Sequence, residues 1–332
     1  MLLPTELLGV IVDTLALPIH PQAYGFDADV LRSLVHLCSS STTLYNIASP
    51  HLYSSVIISS SNQLHSFVDT LHNTKGRLSS ALQSLCLRDF DDALEEEAVG
   101  DLIALLVLLR GCSPGLRRLI IDRDLRAWLD PIDYMSDSSS NEDPETCGVQ
   151  PGLIGKLRSE IRSGLDALQG LEELCSIQDE VFLRSVETDD TWGYNSGWKD
   201  HRQLRYLSLY NPVIDSRLAQ DIIHLNFLRC LVLVRPDAVD DTMVNFFRAV
   251  MATCRVMLMG PLSSVTLDEI KEAVIEAQPK CEIVYIEAPA DGDNLICEVQ
   301  LWVRQQLERG AMFEAKGTII WHRWEERNGI RA

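Results

Sequence analysis

The chain has 332 residues, 46% of them hydrophobic, with a formal net charge of −19 and a pI near 4.8. That length accommodates one large domain or two ordinary ones, and the apolar share argues against global disorder. The charge argues against nucleic acid and anionic membrane surfaces as partners, because neutralising phosphates takes clustered Lys and Arg; it serves solubility, with a preference for basic partners as the alternative.

Nine cysteines stand singly, at 38, 86, 112, 147, 175, 230, 254, 281 and 297, with no C-x-x-C among them. Most have apolar neighbours, which fits reduced core thiols in a cytoplasmic or nuclear protein better than a disulfide frame or a zinc site. No Asn-x-Ser/Thr acceptor occurs. Residues 1–17 are apolar but carry Glu6 and Asp13 and lack both a basic start and a small-x-small cleavage site, so they do not read as a signal peptide. The longest apolar run, residues 102–109, is far short of the roughly 20 residues that span a bilayer.

In chain order, Pro4 fits a first helical turn, where its missing N–H is not needed. Leu7, Leu8, Ile11, Val12 and Leu15 then share one helical face. Pro18 and Pro21 stop this helix, and a spacer runs through Asp29. A second helix carries Leu31, Leu34, Val35 and Cys38 as its apolar stripe. Ser39, Ser40 and Ser41 break it, and one of them or Thr42 caps a short third helix that Pro50 ends. Val56, Ile57 and Ile58 read as a short strand.

Three pieces of this stretch carry a family resemblance: the opening L-P-x-E-L-L-x-x-I-V-x-x-L, the middle L-x-x-L-x-x-C-S-x-S and the closing A-S-P-H-L-Y. Together they resemble an F-box, in a form similar to that of many fungal F-box proteins, over about the first fifty residues. The spacer at 17–29 is longer than in the family pattern, and Leu44-Tyr45 stands where F-boxes often have Trp. The resemblance implies a three-helix module at 1–53 that docks the Skp-type linker of a cullin-RING ubiquitin ligase. The residues expected to dock are Leu3, Pro4, Leu7, Leu8, Ile11, Leu31, Leu34, Cys38, Leu44 and Tyr45. A module this small also needs some of them for its own core, so about half are expected to meet the partner.

The remainder, 54–332, repeats an L-x-x-L frame: LQSLCL at 82–87, LRRLII at 116–121, LEELCSI at 171–177, LRYLSL at 204–209 and LRCLVL at 228–233. TCRVMLM at 253–259 and CEIVYIEA at 281–288 are degenerate members. Pro212, Pro236, Pro261 and Pro289 follow the last four, at spacings of 236 − 212 = 24, 261 − 236 = 25 and 289 − 261 = 28. Segments of helical periodicity lie between, at 98–110, 214–225, 240–252 and 267–277. A strand-turn-helix unit near 25 residues predicts an irregular leucine-rich-repeat α/β solenoid, with parallel strands on the concave side and helices on the convex side. An ordinary α/β domain with coincidental spacing is the competing reading.

Two insertions interrupt the repeat. Residues 123–151 include the acidic, serine-rich SDSSSNEDPE, of disordered composition. There Ser139 and Ser140 each have an acid three residues on, a pattern suited to an acid-directed kinase, but a plain solvated insertion with no regulatory role is the leading reading. Residues 187–200 hold Trp192, Tyr194 and Trp198 in a polar loop, either a substrate-recognition surface or a flap over the solenoid edge. At the C-terminus, 293–332 reads as a cap: Asn294 starts a helix bearing Leu295, Ile296, Val299, Trp302 and Val303, Gly310 fits the position just past its end, and Ile319-Ile320-Trp321 adds a last apolar patch.

One catalytic motif matches in letters. Residues 111–115 spell G-x-S-x-G around Ser113, but the expected order is helix before and strand after, the reverse of a nucleophile elbow. The following Pro114 also has no N–H to offer an oxyanion. The chain contains no G-x-x-x-x-G-K-[ST], G-x-G-x-x-G or H-E-x-x-H, and its eight histidines are scattered. The acidic run at 89–97 lacks the spacing and central Gly of a calcium loop. No catalytic residue, metal or cofactor is therefore expected. The leading expectation is a substrate-recognition adaptor that holds a protein substrate on the solenoid. The alternative is a leucine-rich interaction scaffold, with no ubiquitin-ligase role, whose N-terminal helices only cap the solenoid.

Overall fold

The computed structural model describes residues 4–16, 27–74, 78–88, 104, 108, 115–122, 164–178, 201–214, 216–238, 243–250, 254–262, 264–288 and 294–321. Leu3, most of the 17–29 spacer, the acidic run at 89–97, Ser113, the insertion with Ser139 and Ser140, and the loop with Trp192, Tyr194 and Trp198 lie outside them. Of the helix expected at 98–110, Ala104 and Leu108 are described, both helical.

The chain opens with three helices: α1 (Thr5–Leu15), α2 (Ala28–Ser40) and α3 (Thr42–Leu52). The Pro4 carbonyl starts α1 by accepting from the Leu7 and Leu8 N–H groups at 3.1 and 3.2 Å. Asp27 caps α2 by accepting from the Asp29 N–H at 2.8 Å, and the Ser41 hydroxyl caps α3 by accepting from the Leu44 N–H at 3.2 Å. Pro50 does not end α3 but lies inside its last turn. The cost is one helical hydrogen bond, and the ladder resumes where the Tyr53 N–H donates to the Ser49 carbonyl at 3.0 Å.

The body is mixed α/β. Nine strands form one sheet in the order β1-β2-β3-β4-β5-β7-β9-β10-β11. They are β1 (Ser55–Ile58), β2 (Ser84–Arg88), β3 (Arg118–Asp122), β4 (Glu173–Ser176), β5 (Tyr206–Tyr210), β7 (Cys230–Val234), β9 (Arg255–Met259), β10 (Glu282–Ile286) and β11 (Thr318–Trp321). All neighbours run parallel except β10 and β11, which are antiparallel. Each parallel strand thus lies beside the one before it in this chain order. Two short strands, β6 (Val213–Ile214) and β8 (Asp237–Ala238), pair separately. The described helices of the body are α4 (Ser61–Asn73), α5 (Ser216–Ile223), α6 (Met243–Ala249), α7 (Ser264–Ala277) and α8 (Leu295–Glu308).

The L-x-x-L frame has a direct structural meaning. Its first leucine (Leu82, Leu116, Leu171, Leu204, Leu228) is buried just before each strand. Its second (Leu85, Leu119, Leu174, Leu207, Leu231) points from the strand into the same core as Leu64 and Phe67 of α4, Ile222 of α5, Phe246 and Phe247 of α6 and Ile270 of α7. Leaving the strands, the backbone repeats another device. Asn211, Arg235 and Gly260 take positive φ values of 49°, 47° and 136°, each directly before a proline. The Asn211 and Arg235 N–H groups donate to the next strand, to the Val234 and Met259 carbonyls.

The opposite sheet face is also covered. Cys86, Ile120, Cys175, Val232, Met257 and Val284 pack with Val299, Val303 and Leu307 of α8 and with Met312 and Phe313 of the 3-10 turn after it. Two ion pairs tie α8 down, Arg304 to Asp122 on β3 and Glu308 to Arg88 on β2. The C-terminal segment is therefore in two places. Helix α8 lies on the sheet face expected to line the concave side, while β11 adds to the sheet edge at β10. Asn294 caps α8, accepting from the Cys297 N–H, and Gly310 turns the chain at φ 69°. A hydrogen bond from the Ala311 N–H to the Gln306 carbonyl closes the helix end.

Candidate functional site

Helices α1 and α2 each pack chiefly on α3. Their shared core is small: Val12, Ala16, Leu34 and Ala48, lined by Leu15, Val30, Leu37, Cys38, Ile47 and Leu52. His51 Nε2 of α3 sits 2.9 Å from a carboxylate oxygen of Asp13, joining the first and third helices. The module meets the sheet where α3 runs into β1. There Tyr53 packs against the sheet core, and the Ser54 carbonyl accepts from the Gln83 and Ser84 N–H groups at 2.8 and 2.9 Å.

The ten positions expected from the sequence to dock divide by where they sit. Leu34 is fully buried, so it belongs to the module's core and not to its outer face. Leu8, Cys38 and Leu44 are half-buried. Burial raises the Cys38 thiol above its ordinary pKa. Pro4, Leu7, Ile11, Leu31 and Tyr45 face solvent, and Leu3 lies outside the described residues. Leu7 and Ile11 are 50% and 52% exposed and lie one turn apart on α1.

Two further residues belong with them. Val10 is exposed next to Leu7 and Ile11 on α1, and Val35 lies one turn beyond Leu31 on α2. Val10 was legible as i+3 from Leu7. The apolar set 7, 8, 11, 12 and 15 does not form one face: Val12 turns inward with Ala16, and 7, 10 and 11 form an outer arc.

Elsewhere the described residues offer little chemistry. Among the described residues no group of three or more His, Cys, Asp or Glu is gathered where it could hold a metal ion, and no described helix is long and apolar enough to cross a membrane. Burial pushes the Cys86 and Cys230 thiols up to about 12, the reverse of what a thiolate nucleophile needs.

No protein-family model matches the chain, and no curated protein matches it either.

Proposed function

We propose that this chain is a substrate-recognition adaptor of an SCF-type cullin-RING ubiquitin ligase, with no catalysis of its own. In this reading α1–α3 form an F-box-like module that docks a Skp-type linker. The parallel-stranded body is an irregular leucine-rich-repeat array that presents a protein substrate in the cytoplasm or nucleus. The supporting observation is the exposed apolar arc Leu7, Val10 and Ile11 on α1, with Leu31 and Val35 on α2, in a module whose own core is four residues. The adaptor acts by proximity: it holds the substrate near a ubiquitin-loaded enzyme and raises its effective concentration.

A second reading makes the helices a cap on the β1 edge, favoured by Tyr53 and the Ser54 carbonyl joining α3 to the sheet. A pull-down with a purified Skp-type linker separates the two. The adaptor reading expects capture by the wild type and loss with Leu7→Asp plus Ile11→Asp. Absence of capture by the wild type leaves the cap reading standing.

A further inference from the structure

In a protein of net charge −19, one edge of the sheet carries the opposite sign. Arg117, Glu172, Arg205 and Arg229 immediately precede aligned residues of β3, β4, β5 and β7, so they form one row across the strand entrances. Backbone hydrogen bonds fix the row: Glu172 N–H to the Arg117 carbonyl at 2.7 Å, Arg205 N–H to Glu172 at 2.8 Å and Arg229 N–H to Arg205 at 2.8 Å. Glu172 is shared. It pairs with Arg117, and its second oxygen is 3.6 Å from Arg205. Arg229 stands next to Arg205, and among the described residues no carboxylate pairs with it. Arg202, also exposed, sits three residues before Arg205 on the same connection. Like charges on adjacent strands repel, so the row holds a cost that a bound anion would relieve.

An apolar feature sits on the same edge. Phe227, two residues before Arg229, is 65% exposed, the highest value among the large apolar side chains described. Ile223, which ends α5 on the same connection into β7, is 52% exposed.

We propose that this edge binds an acidic segment of a partner protein in which an apolar side chain stands among Asp and Glu residues. The carboxylates meet Arg205, Arg229 and Arg202, and the apolar side chain rests on Phe227 and Ile223. The row from Arg117 to Arg229 covers three strand spacings, about 14 Å, roughly four residues of extended peptide. That is too short a track for a polyanion such as nucleic acid, which the rest of this acidic chain repels. Since α8 covers the sheet face, this edge gives the body a binding surface that needs no rearrangement. The inference does not rest on the adaptor reading, because the row is separate from α1–α3.

The test uses the full chain and a fluorescein-labelled peptide of alternating Asp/Glu and Leu with one Phe, read by fluorescence anisotropy. A peptide with Asn/Gln in place of Asp/Glu and a single-stranded DNA oligonucleotide serve as comparisons. The expected result is binding of the acidic peptide that weakens as salt rises from about 50 to 200 mM. Arg205→Glu plus Arg229→Glu should weaken it at least about tenfold, and Phe227→Ser should weaken it at low and high salt alike. Arg248→Glu on α6 should leave it unchanged, and circular dichroism confirms that each variant folds. The proposal is overturned by no binding at low salt, by equal binding of the neutral peptide, by indifference to the double reversal, or by tighter binding of the oligonucleotide.

Discussion

Arg304 of α8 donates from Nε to the Asp122 carboxylate at the end of β3 at 2.5 Å, across 182 positions of sequence. Asp122 is fully buried, while the Arg304 side chain is 32% exposed. The same carboxylate accepts from Gln178 Nε2 at 3.1 Å, and its bond to Arg304 raises the Arg304 pKa above the ordinary value. The pair is asymmetric, so its two halves should not cost the same. Arg304→Ala strands a buried carboxylate and should cost about 3–5 kcal/mol. Asp122→Ala leaves a guanidinium that can turn to water and should cost clearly less. Urea unfolding of both single variants and of the double variant measures this; equal single costs would contradict it.

Helix α8 is a structural layer and not an appendage. Leu307 is 2% exposed in the core between α8 and the sheet, whereas Leu301 on the outer side is 51% exposed. Leu307→Ala should cost about 2–5 kcal/mol, and Leu301→Ala should stay within about 0.5 kcal/mol. Thermal melts of the two variants suffice. If they match, α8 does not cover the sheet face.

Within α1–α3 the same logic separates core from surface. Leu34→Ala should destabilise the module by about 2–5 kcal/mol. Leu7→Asp plus Ile11→Asp should leave its helix content unchanged, since both side chains already stand in water. Limited proteolysis of the N-terminal segment reads out the difference, with faster cleavage expected for Leu34→Ala alone.

The buried thiols give a pH prediction with a definite sign. Cys86 and Cys230 are raised from 9.0 to about 12, chiefly by burial. Below pH 9 these thiols are neutral in both folded and unfolded chains and do not affect the balance. As pH rises from about 9 toward 12 the unfolded thiols ionise and the folded ones do not, so stability falls across that window. At pH 8, iodoacetamide followed by peptide mapping should modify the exposed Cys297 and spare Cys86, Cys230 and Cys254 until denaturant is added.

Much of the sheet was legible because the L-x-x-L frame is a packing rule: its two leucines enter one core, and every strand it marks is found. Helix α4 was missed although its signal was present. Leu64, Phe67, Val68 and Leu71 fall at helical spacing behind Ser60, whose hydroxyl accepts from the Gln63 N–H. Its apolar residues are diluted by Ser, Asn, Gln and His, which hid the period. The position of α8 was harder to foresee, because an amphipathic helix does not announce which face it covers. One clue stood in the strands themselves. Cys230–Val234 is apolar at every position, as strands covered on both faces are, and an open concave face would have required alternation. The split of the residues expected to dock was partly readable: with only 11, 13 and 11 residues, the three helices need inward positions, and Leu34 supplies one.

The most direct test of the account is hydrogen–deuterium exchange of the full chain with and without a purified Skp-type linker. The account predicts slowed exchange in α1 and α2, with the strands of the sheet unchanged. Unchanged exchange in α1 and α2, or protection confined to the sheet, would contradict it.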